Sequence, residues 1–127
     1  MSVTPARVLV VDDSPLVARS TARLLELEGW RAEVVQEGAA AVQRVAGDPG
    51  GFDVVLLDLV LPDLPGASVF QELRRLREDL PVVVTSGYGH QAEVAALVAA
   101  GAVYLAKPFA LEELLAALVR ARARPSS

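Results

Sequence analysis

The chain has 127 residues, of which 53% are apolar and 22% charged, with 12 basic and 16 acidic side chains, a formal net charge of −4 and no cysteine. This length and composition are typical of one globular domain and exclude a disordered chain. The missing cysteines exclude a disulfide scaffold, a thiolate metal site and a cysteine nucleophile, and the acidic balance argues against direct binding of nucleic acid.

Four short apolar runs rich in β-branched residues predict strands that are covered on both faces. They span residues 8–11, 54–57, 82–84 and 102–106. A fifth and more polar run at residues 32–36 predicts an edge or near-edge strand.

Helix-length segments follow each of these strands. Ser14 and Pro15 predict the start of the first helix, because serine is a good N-cap and proline suits the first helical position, and Gly29 predicts its end. The remaining helices are expected at residues 38–46, 67–78, 91–100 and 111–122.

The strict alternation of strand and helix predicts an α/β fold with a doubly wound parallel sheet, since parallel neighbours need helical crossovers. We expect a single domain over residues 1–127, with a frayed tail at residues 124–127. The longest apolar run, residues 94–106, is shorter than the ~18 residues of a membrane span, and the N-terminus has no cleavage signal. Together with the missing cysteines, this predicts no membrane association and a cytoplasmic location.

Polar residues stand where the apolar strands end. In a parallel sheet they would meet at one edge, which is where open α/β sheets bind their ligands. These residues are Asp12 and Asp13, Asp58, the hydroxyl pair Thr85 and Ser86, and Lys107.

Three carboxylates at one edge would raise each other's pKa unless a cation neutralises them. An all-oxygen ligand set suits Mg²⁺, with Mn²⁺ as an alternative. Taken singly, Asp12 or Asp13 could as well be a helix cap, and Lys107 a plain surface residue. It is the joint placement of these residues that favours a functional site.

Four segments also carry a resemblance. They read VLVVDDSP at residues 8–15, DVVLLDLVLPDLPG at 53–66, PVVVTSGY at 81–88 and GAVYLAKPF at 101–109. In this order and spacing they resemble the receiver domain of bacterial two-component response regulators, the CheY-like superfamily. The resemblance covers nearly the whole chain and implies a flavodoxin-like sheet of five strands in order 2-1-3-4-5, flanked by five helices.

The resemblance implies that Asp58 is the nucleophile that takes a phosphoryl group from a phosphohistidine. The donor would be a histidine kinase or a histidine phosphotransfer protein. Asp13 and Asp58 would bind Mg²⁺ directly with the main-chain carbonyl of Val60, and Asp12 would act mostly through a metal-bound water.

Other matched residues would bind the phosphoryl group or respond to it. Lys107 would pair with Asp58 before transfer and with a phosphoryl oxygen afterwards. Ser86 is expected to bind another phosphoryl oxygen; Thr85 is the alternative hydroxyl, because only one of the two can face the phosphate. Tyr104 would turn inward behind Ser86, although ordinary packing with the hydroxyl outward is equally one state of such a switch.

The side chains of Val60 and Tyr88 would flank the phosphate. Neither orients water well, so we expect a long-lived phosphoryl group. The output would pass through the face of helix 4, strand 5 and helix 5 to a downstream protein or a second receiver. The apolar character of helix 4 would then reflect docking, or only the alanine-rich composition of the chain.

The resulting prediction is a phospho-accepting switch that is not an enzyme in the ordinary sense, although it assists its own phosphorylation and dephosphorylation. It could be free-standing, or a receiver from a larger regulator or hybrid histidine kinase. A flavodoxin-like cofactor-binding protein would need a phosphate-cradling loop where Asp12 and Asp13 stand, and a phosphatase with an Asp nucleophile expects a second Asp where Val60 stands.

Overall fold

The computed structural model describes residues 4–123 and contains every predicted strand and helix, with boundaries displaced by at most two residues. The expected frayed tail lies outside the described residues. In chain order the elements are β1 (Arg7–Val11), α1 (Pro15–Leu27), β2 (Arg31–Val35), α2 (Gly38–Gly47), β3 (Val54–Asp58), α3 (Gly66–Leu76), β4 (Val82–Ser86), α4 (Gln91–Ala99), β5 (Val103–Ala106) and α5 (Leu111–Ala123).

The strands form one sheet in the order β2-β1-β3-β4-β5, and every neighbouring pair is parallel. This confirms the expected 2-1-3-4-5 order and places the polar strand β2 at an edge. The order reverses between β1 and β3, so the carboxyl ends of these two central strands border the crevice in which α/β sheets of this type bind ligands.

Alternate residues of the strands supply two cores, one on each face of the sheet. Leu9 and Val11 of β1 belong to the core that packs against α2, α3 and α4, whereas Val8 and Val10 belong to the core that packs against α1 and α5. All four side chains are essentially buried. Coverage of both faces explains why the central strands are continuous apolar runs without polar alternation.

The loop between β3 and α3 is closed tightly at its base. The backbone N–H of Gly66 donates to the carbonyl of Leu59 at 3.1 Å, and a Cβ at Gly66 would lie 2.4 Å from the Leu59 Cα. Only glycine permits this approach, so the start of α3 is fixed against the residue that follows Asp58.

Candidate functional site

The carboxyl ends of β1 and β3 bring three carboxylates together. Asp12 and Asp13 follow β1, Asp58 ends β3, and one oxygen from each lies within 4.8 Å of the others. Asp12 and Asp58 are buried, whereas Asp13 is exposed. The structure therefore assembles the acidic cluster that the strand ends predict.

Lys107, directly after β5, lies between two of these carboxylates. Its Nζ donates to Oδ2 of Asp58 at 2.7 Å and to Oδ2 of Asp12 at 3.1 Å. Burial lowers the pKa of the Lys107 ammonium, but the hydrogen bonds and charges of Asp58 and then Asp12 outweigh it, so that its pKa is raised above the ordinary value. The lysine therefore places a fixed positive charge in the site. A plain surface lysine, the alternative considered from the sequence, would need no such carboxylate partners.

Asp12 and Asp58 also bind the backbone of the loops that follow them. Oδ1 of Asp12 accepts the N–H of Ser14 at 3.0 Å, and Oδ1 of Asp58 accepts the N–H of Val60 at 2.9 Å. The cap of α1 is Ser14, whose Oγ accepts the N–H of Val17 at 3.4 Å. Asp12 thus orders the turn before α1 with one oxygen and faces the lysine with the other.

The hydroxyl of Ser86 is buried and has no hydrogen-bond partner. A buried polar atom without a partner is costly, because nothing offsets its lost hydration. Its neighbour Thr85 is equally buried but is the register partner of Asp58, whereas Ser86 lies one residue further along β4. Of the two hydroxyls, that of Ser86 is the one left buried without a partner.

Tyr104 of β5 is half-buried, and its hydroxyl donates to the main-chain carbonyl of Ser86 at 3.4 Å. Its ring packs against the core that faces α2, α3 and α4. The tyrosine is therefore linked to the end of β4, next to the unpartnered serine hydroxyl.

Val60 and Tyr88 each stand two residues after a strand end, that of β3 at Asp58 and that of β4 at Ser86. Val60 is 52% exposed and Tyr88 is 96% exposed. An open cleft of about 490 Å³ is lined by Asp13, the end of β2, the start of α2 and Pro62. The acidic cluster therefore borders an open cleft on the side of Asp13.

The donor set fits a hard divalent cation. All the clustered ligand atoms are carboxylate oxygens, and a single ammonium group offsets only part of their negative charge. Mg²⁺ prefers oxygen ligands and is held in proteins by few carboxylates together with water.

Asp63, in the β3–α3 loop, was not identified from the sequence. Its carboxylate accepts the N–H groups of Gly38 and Ala39, at 2.8 and 2.9 Å, and so caps α2 from 25 positions away. The two bonds lower the pKa of the Asp63 carboxyl, and the bond from Ala39 has the larger effect. The available signal was that α2 begins without a serine, threonine, aspartate or asparagine before it.

Comparison with known proteins gives one consistent family. Residues 8–119 match the response regulator receiver domain family. The chain is 43% identical over 113 residues to response regulator MprA of Mycolicibacterium vanbaalenii and 41% identical over 111 residues to MprA of Mycobacterium ulcerans. These matches cover 88% and 87% of the chain but 48% and 47% of the relatives, so the chain spans about half their length.

Solved structures agree with this assignment. A CheY-like receiver domain protein from Methanospirillum hungatei has a TM-score of 0.82 and 26% identity, covering 93% of the chain and 97% of that protein. A response regulator from Burkholderia pseudomallei, solved with a phosphorylated aspartic acid, a calcium ion and citrate, has a TM-score of 0.79 and 34% identity, covering 89% of the chain and 66% of that protein. The chain belongs to the response regulator receiver domain family, the switch module of two-component signalling.

Proposed function

We propose that Asp58 accepts a phosphoryl group. Mg²⁺ would be held directly by Asp13, Asp58 and the main-chain carbonyl of Val60, and by Asp12 mostly through a bound water. The single observation that carries this proposal is the cluster of three carboxylates around Lys107 at the carboxyl ends of the central strands. The Burkholderia relative, which holds both a phosphorylated aspartic acid and a cation, supports it.

In the proposed transfer, a carboxylate oxygen of Asp58 forms a bond to phosphorus while the phosphorus–nitrogen bond of a phosphohistidine breaks. The bonding electron pair leaves with the imidazole of the donor. The bound Mg²⁺ would supply neutralisation of the phosphoryl charge. Lys107 moves from the Asp58 carboxylate to a phosphoryl oxygen, and Ser86 donates its free hydroxyl to another.

The donor in this proposal is a histidine kinase, the usual partner of a response regulator, or a histidine phosphotransfer protein. The chain acts as a switch and not as an enzyme with a turned-over substrate. It nevertheless contributes the nucleophile and the charged groups for its own phosphorylation and dephosphorylation. The half exposed side chain of Val60 and the exposed ring of Tyr88 offer no carboxylate or amide to orient water, which supports a long-lived phosphoryl group.

The face formed by α4, β5 and α5 is the proposed surface for a downstream protein or a second receiver. Phosphorylation would act on it through Ser86 and Tyr104, which are joined by a hydrogen bond at the boundary of this face. On α4 the side chain of Leu97 is buried, whereas Val98 and most of the alanines are exposed. A sedimentation profile that stays monomeric with and without a phosphoryl analogue would count against self-association.

The relatives' greater length supports the proposal that this receiver works as part of a larger regulator. Within residues 4–123, no helix has the length and apolar character needed to cross a membrane. We propose that the receiver acts in the cytoplasm, as expected from the sequence.

The proposal is tested by incubating the protein with Mg²⁺ and acetyl phosphate and measuring the intact mass. We expect an adduct of one phosphoryl group that the Asp58→Asn variant cannot form. Asp53→Asn is the matched control, because Asp53 immediately precedes the same strand at its opposite end. A wild-type protein that stays unmodified, or an Asp58→Asn variant that is still modified, would refute the assignment.

A further inference from the structure

Asp63 connects two segments that border the acidic cluster. It belongs to the loop that follows Asp58, and it binds the first two N–H groups of α2, which begins directly after Glu37. Pro62, which precedes Asp63, and Glu37, which precedes Gly38, line the same cleft as Asp13. The carboxylate of Asp63 therefore joins two segments that both line this cleft.

This link replaces a cap that α2 does not supply itself. Glu37 occupies the N-cap position of α2 but makes no side-chain capping bond, so the N–H groups of Gly38 and Ala39 are capped by Asp63 instead. Both carboxylate oxygens are used, one for each N–H, which fixes the direction of the side chain as well as its distance.

The same link restrains the loop that holds the carbonyl of Val60. The base of the loop is fixed by the bond between Gly66 and Leu59, and Val60 is tied to Asp58 through its N–H. Leu61 and Leu64 pack only partly into the core. Asp63 is the polar contact that ties the outer part of this loop to a different element of the fold.

We propose that Asp63 is a positioning residue for the metal site: by binding the N-terminus of α2, it holds the β3–α3 loop so that the Val60 carbonyl can complete the coordination of Mg²⁺. This inference rests on the proposed function. Mg²⁺ requires near-octahedral geometry at ~2.0–2.1 Å, whereas Ca²⁺ accepts flexible geometry at ~2.3–2.6 Å. A small displacement of one ligand therefore weakens Mg²⁺ binding more than Ca²⁺ binding.

The experiment compares the dissociation constants of Mg²⁺ and Ca²⁺, measured by calorimetry, in the wild type and in Asp63→Ala. We expect the Mg²⁺ constant to rise roughly 3–10-fold, at or below the ~10–100-fold range for residues that hold a metal ligand directly. The Ca²⁺ constant should change by less than about twofold, because Ca²⁺ tolerates the displaced carbonyl. Asp63→Asn, which keeps one acceptor oxygen, should restore part of the Mg²⁺ affinity.

Glu37→Gln is the matched control. It also removes a carboxylate at the start of α2 and beside the cleft, but it breaks no capping bond. Equal weakening of Mg²⁺ in Glu37→Gln and Asp63→Asn would attribute the effect to lost charge and overturn the inference. So would unchanged Mg²⁺ binding in Asp63→Ala, or an equal loss of both cations, which would indicate general loosening of the fold.

The wild-type measurement separates this inference from the function on which it rests. If the wild type binds no Mg²⁺ and takes up no phosphoryl group, the proposed function fails, and the positioning role fails with it. A different outcome is that the wild type binds Mg²⁺ and takes up a phosphoryl group, while Asp63→Ala has the same ratio of Ca²⁺ to Mg²⁺ dissociation constants as the wild type. In that case only the positioning role fails.

Discussion

If Asp58 is phosphorylated as proposed, the unpartnered hydroxyl of Ser86 would have opposite effects on stability before and after the modification. In the unmodified protein its oxygen is buried without a hydrogen bond, which costs about 1–3 kcal/mol relative to a satisfied group. Once a phosphoryl oxygen lies nearby, the same hydroxyl would gain a charge-assisted bond. The serine would thus destabilise the unmodified protein and stabilise the phosphorylated one, which is the trade between the two states.

The Ser86→Ala variant tests this trade. Without a phosphoryl analogue, we expect its free energy of unfolding to equal or exceed that of the wild type by up to about 1 kcal/mol, because the unpaired oxygen is gone. With Mg²⁺ and beryllium fluoride, the wild type should gain more stability than the variant. Urea unfolding in both conditions gives the comparison.

Thr85→Val is the control for this prediction, since it exchanges the neighbouring hydroxyl for a methyl group of similar shape. It should leave the stabilisation by beryllium fluoride nearly unchanged. If Thr85→Val lost that stabilisation and Ser86→Ala kept it, Thr85 would be the phosphate-binding hydroxyl.

Among the elements, the start of α3 depends on a glycine for steric reasons. A methyl group at Gly66 would meet the backbone Cα and carbonyl oxygen of Leu59 at 2.4 and 2.9 Å, and these atoms cannot move without displacing the loop. At Gly47, the last residue of α2, a methyl group meets nothing within 4 Å. The two positions form a matched pair of helix-terminal glycines.

We expect Gly66→Ala to lower the free energy of unfolding by about 1–3 kcal/mol, the range for overpacking. Gly47→Ala should raise it by about 0.4–1 kcal/mol, because it only removes freedom from the unfolded chain. Denaturant titration of both variants decides the matter. A Gly66→Ala protein as stable as the wild type would mean that the loop after Asp58 is less constrained than its contacts indicate.

The edge strand β2 is joined to α2 by an ion pair between Glu33 and Arg44. Oε1 of Glu33 accepts from one guanidinium nitrogen at 2.8 Å, and Oε2 accepts from another. The hydrogen bond with Arg44, opposed by burial and helped by the charge of Arg44, lowers the pKa of the Glu33 carboxyl below 4.5. A lowered folded-state pKa stabilises the fold above the unfolded-state value, and this contribution disappears as the pH falls through the folded-state value.

The Glu33→Gln variant should therefore be less stable than the wild type at neutral pH. The difference should shrink as the pH falls through 4.5, the value at which half of Glu33 is protonated in the unfolded chain. Both side chains are partly exposed, so the neutral-pH difference should be below about 1 kcal/mol. Urea unfolding between about pH 7 and pH 3 gives the profile. The difference in free energy of unfolding between the wild type and Arg44→Gln should also shrink in this pH range. A difference that grew as the pH fell would contradict the assignment.

The strands and helices could be predicted because their signals are local. Buried parallel strands are short β-branched runs, and Ser14 with Pro15 marks a helix start. The alternation of strands and helices predicted a parallel sheet. In such a sheet the residues at the carboxyl ends of the strands, Asp12, Asp58 and Lys107, meet at one edge. Contacts that join distant segments through one side chain leave no local sign of the partner. The missing cap of α2 could be read from the sequence, but its supply by Asp63 and the bond between Lys107 and Asp12 were not predicted.

For the whole molecule, the proposed Mg²⁺ site in the acidic cluster would couple metal binding to folding. Asp13 is exposed but has an oxygen within 4.8 Å of both Asp12 and Asp58, and Lys107 is hydrogen-bonded to those two. Without a cation, the charge of Asp13 repels its neighbours, and water screens this repulsion to about 1 kcal/mol or less. A cation that binds only the folded chain reverses the sign of this contribution.

We therefore expect Asp13→Asn to raise the free energy of unfolding by about 0.5–1 kcal/mol in metal-free buffer, because one repulsive charge is lost. Mg²⁺ at ten times its dissociation constant should stabilise the wild type by about 1.4 kcal/mol and the variant much less. Urea unfolding at constant ionic strength, with Na⁺ replacing Mg²⁺ in the blank, separates specific binding from screening. If Asp13 is a ligand, the variant should be the more stable protein without metal and the wild type the more stable protein with Mg²⁺. Equal stabilisation of both proteins by Mg²⁺ would show that Asp13 is not a ligand.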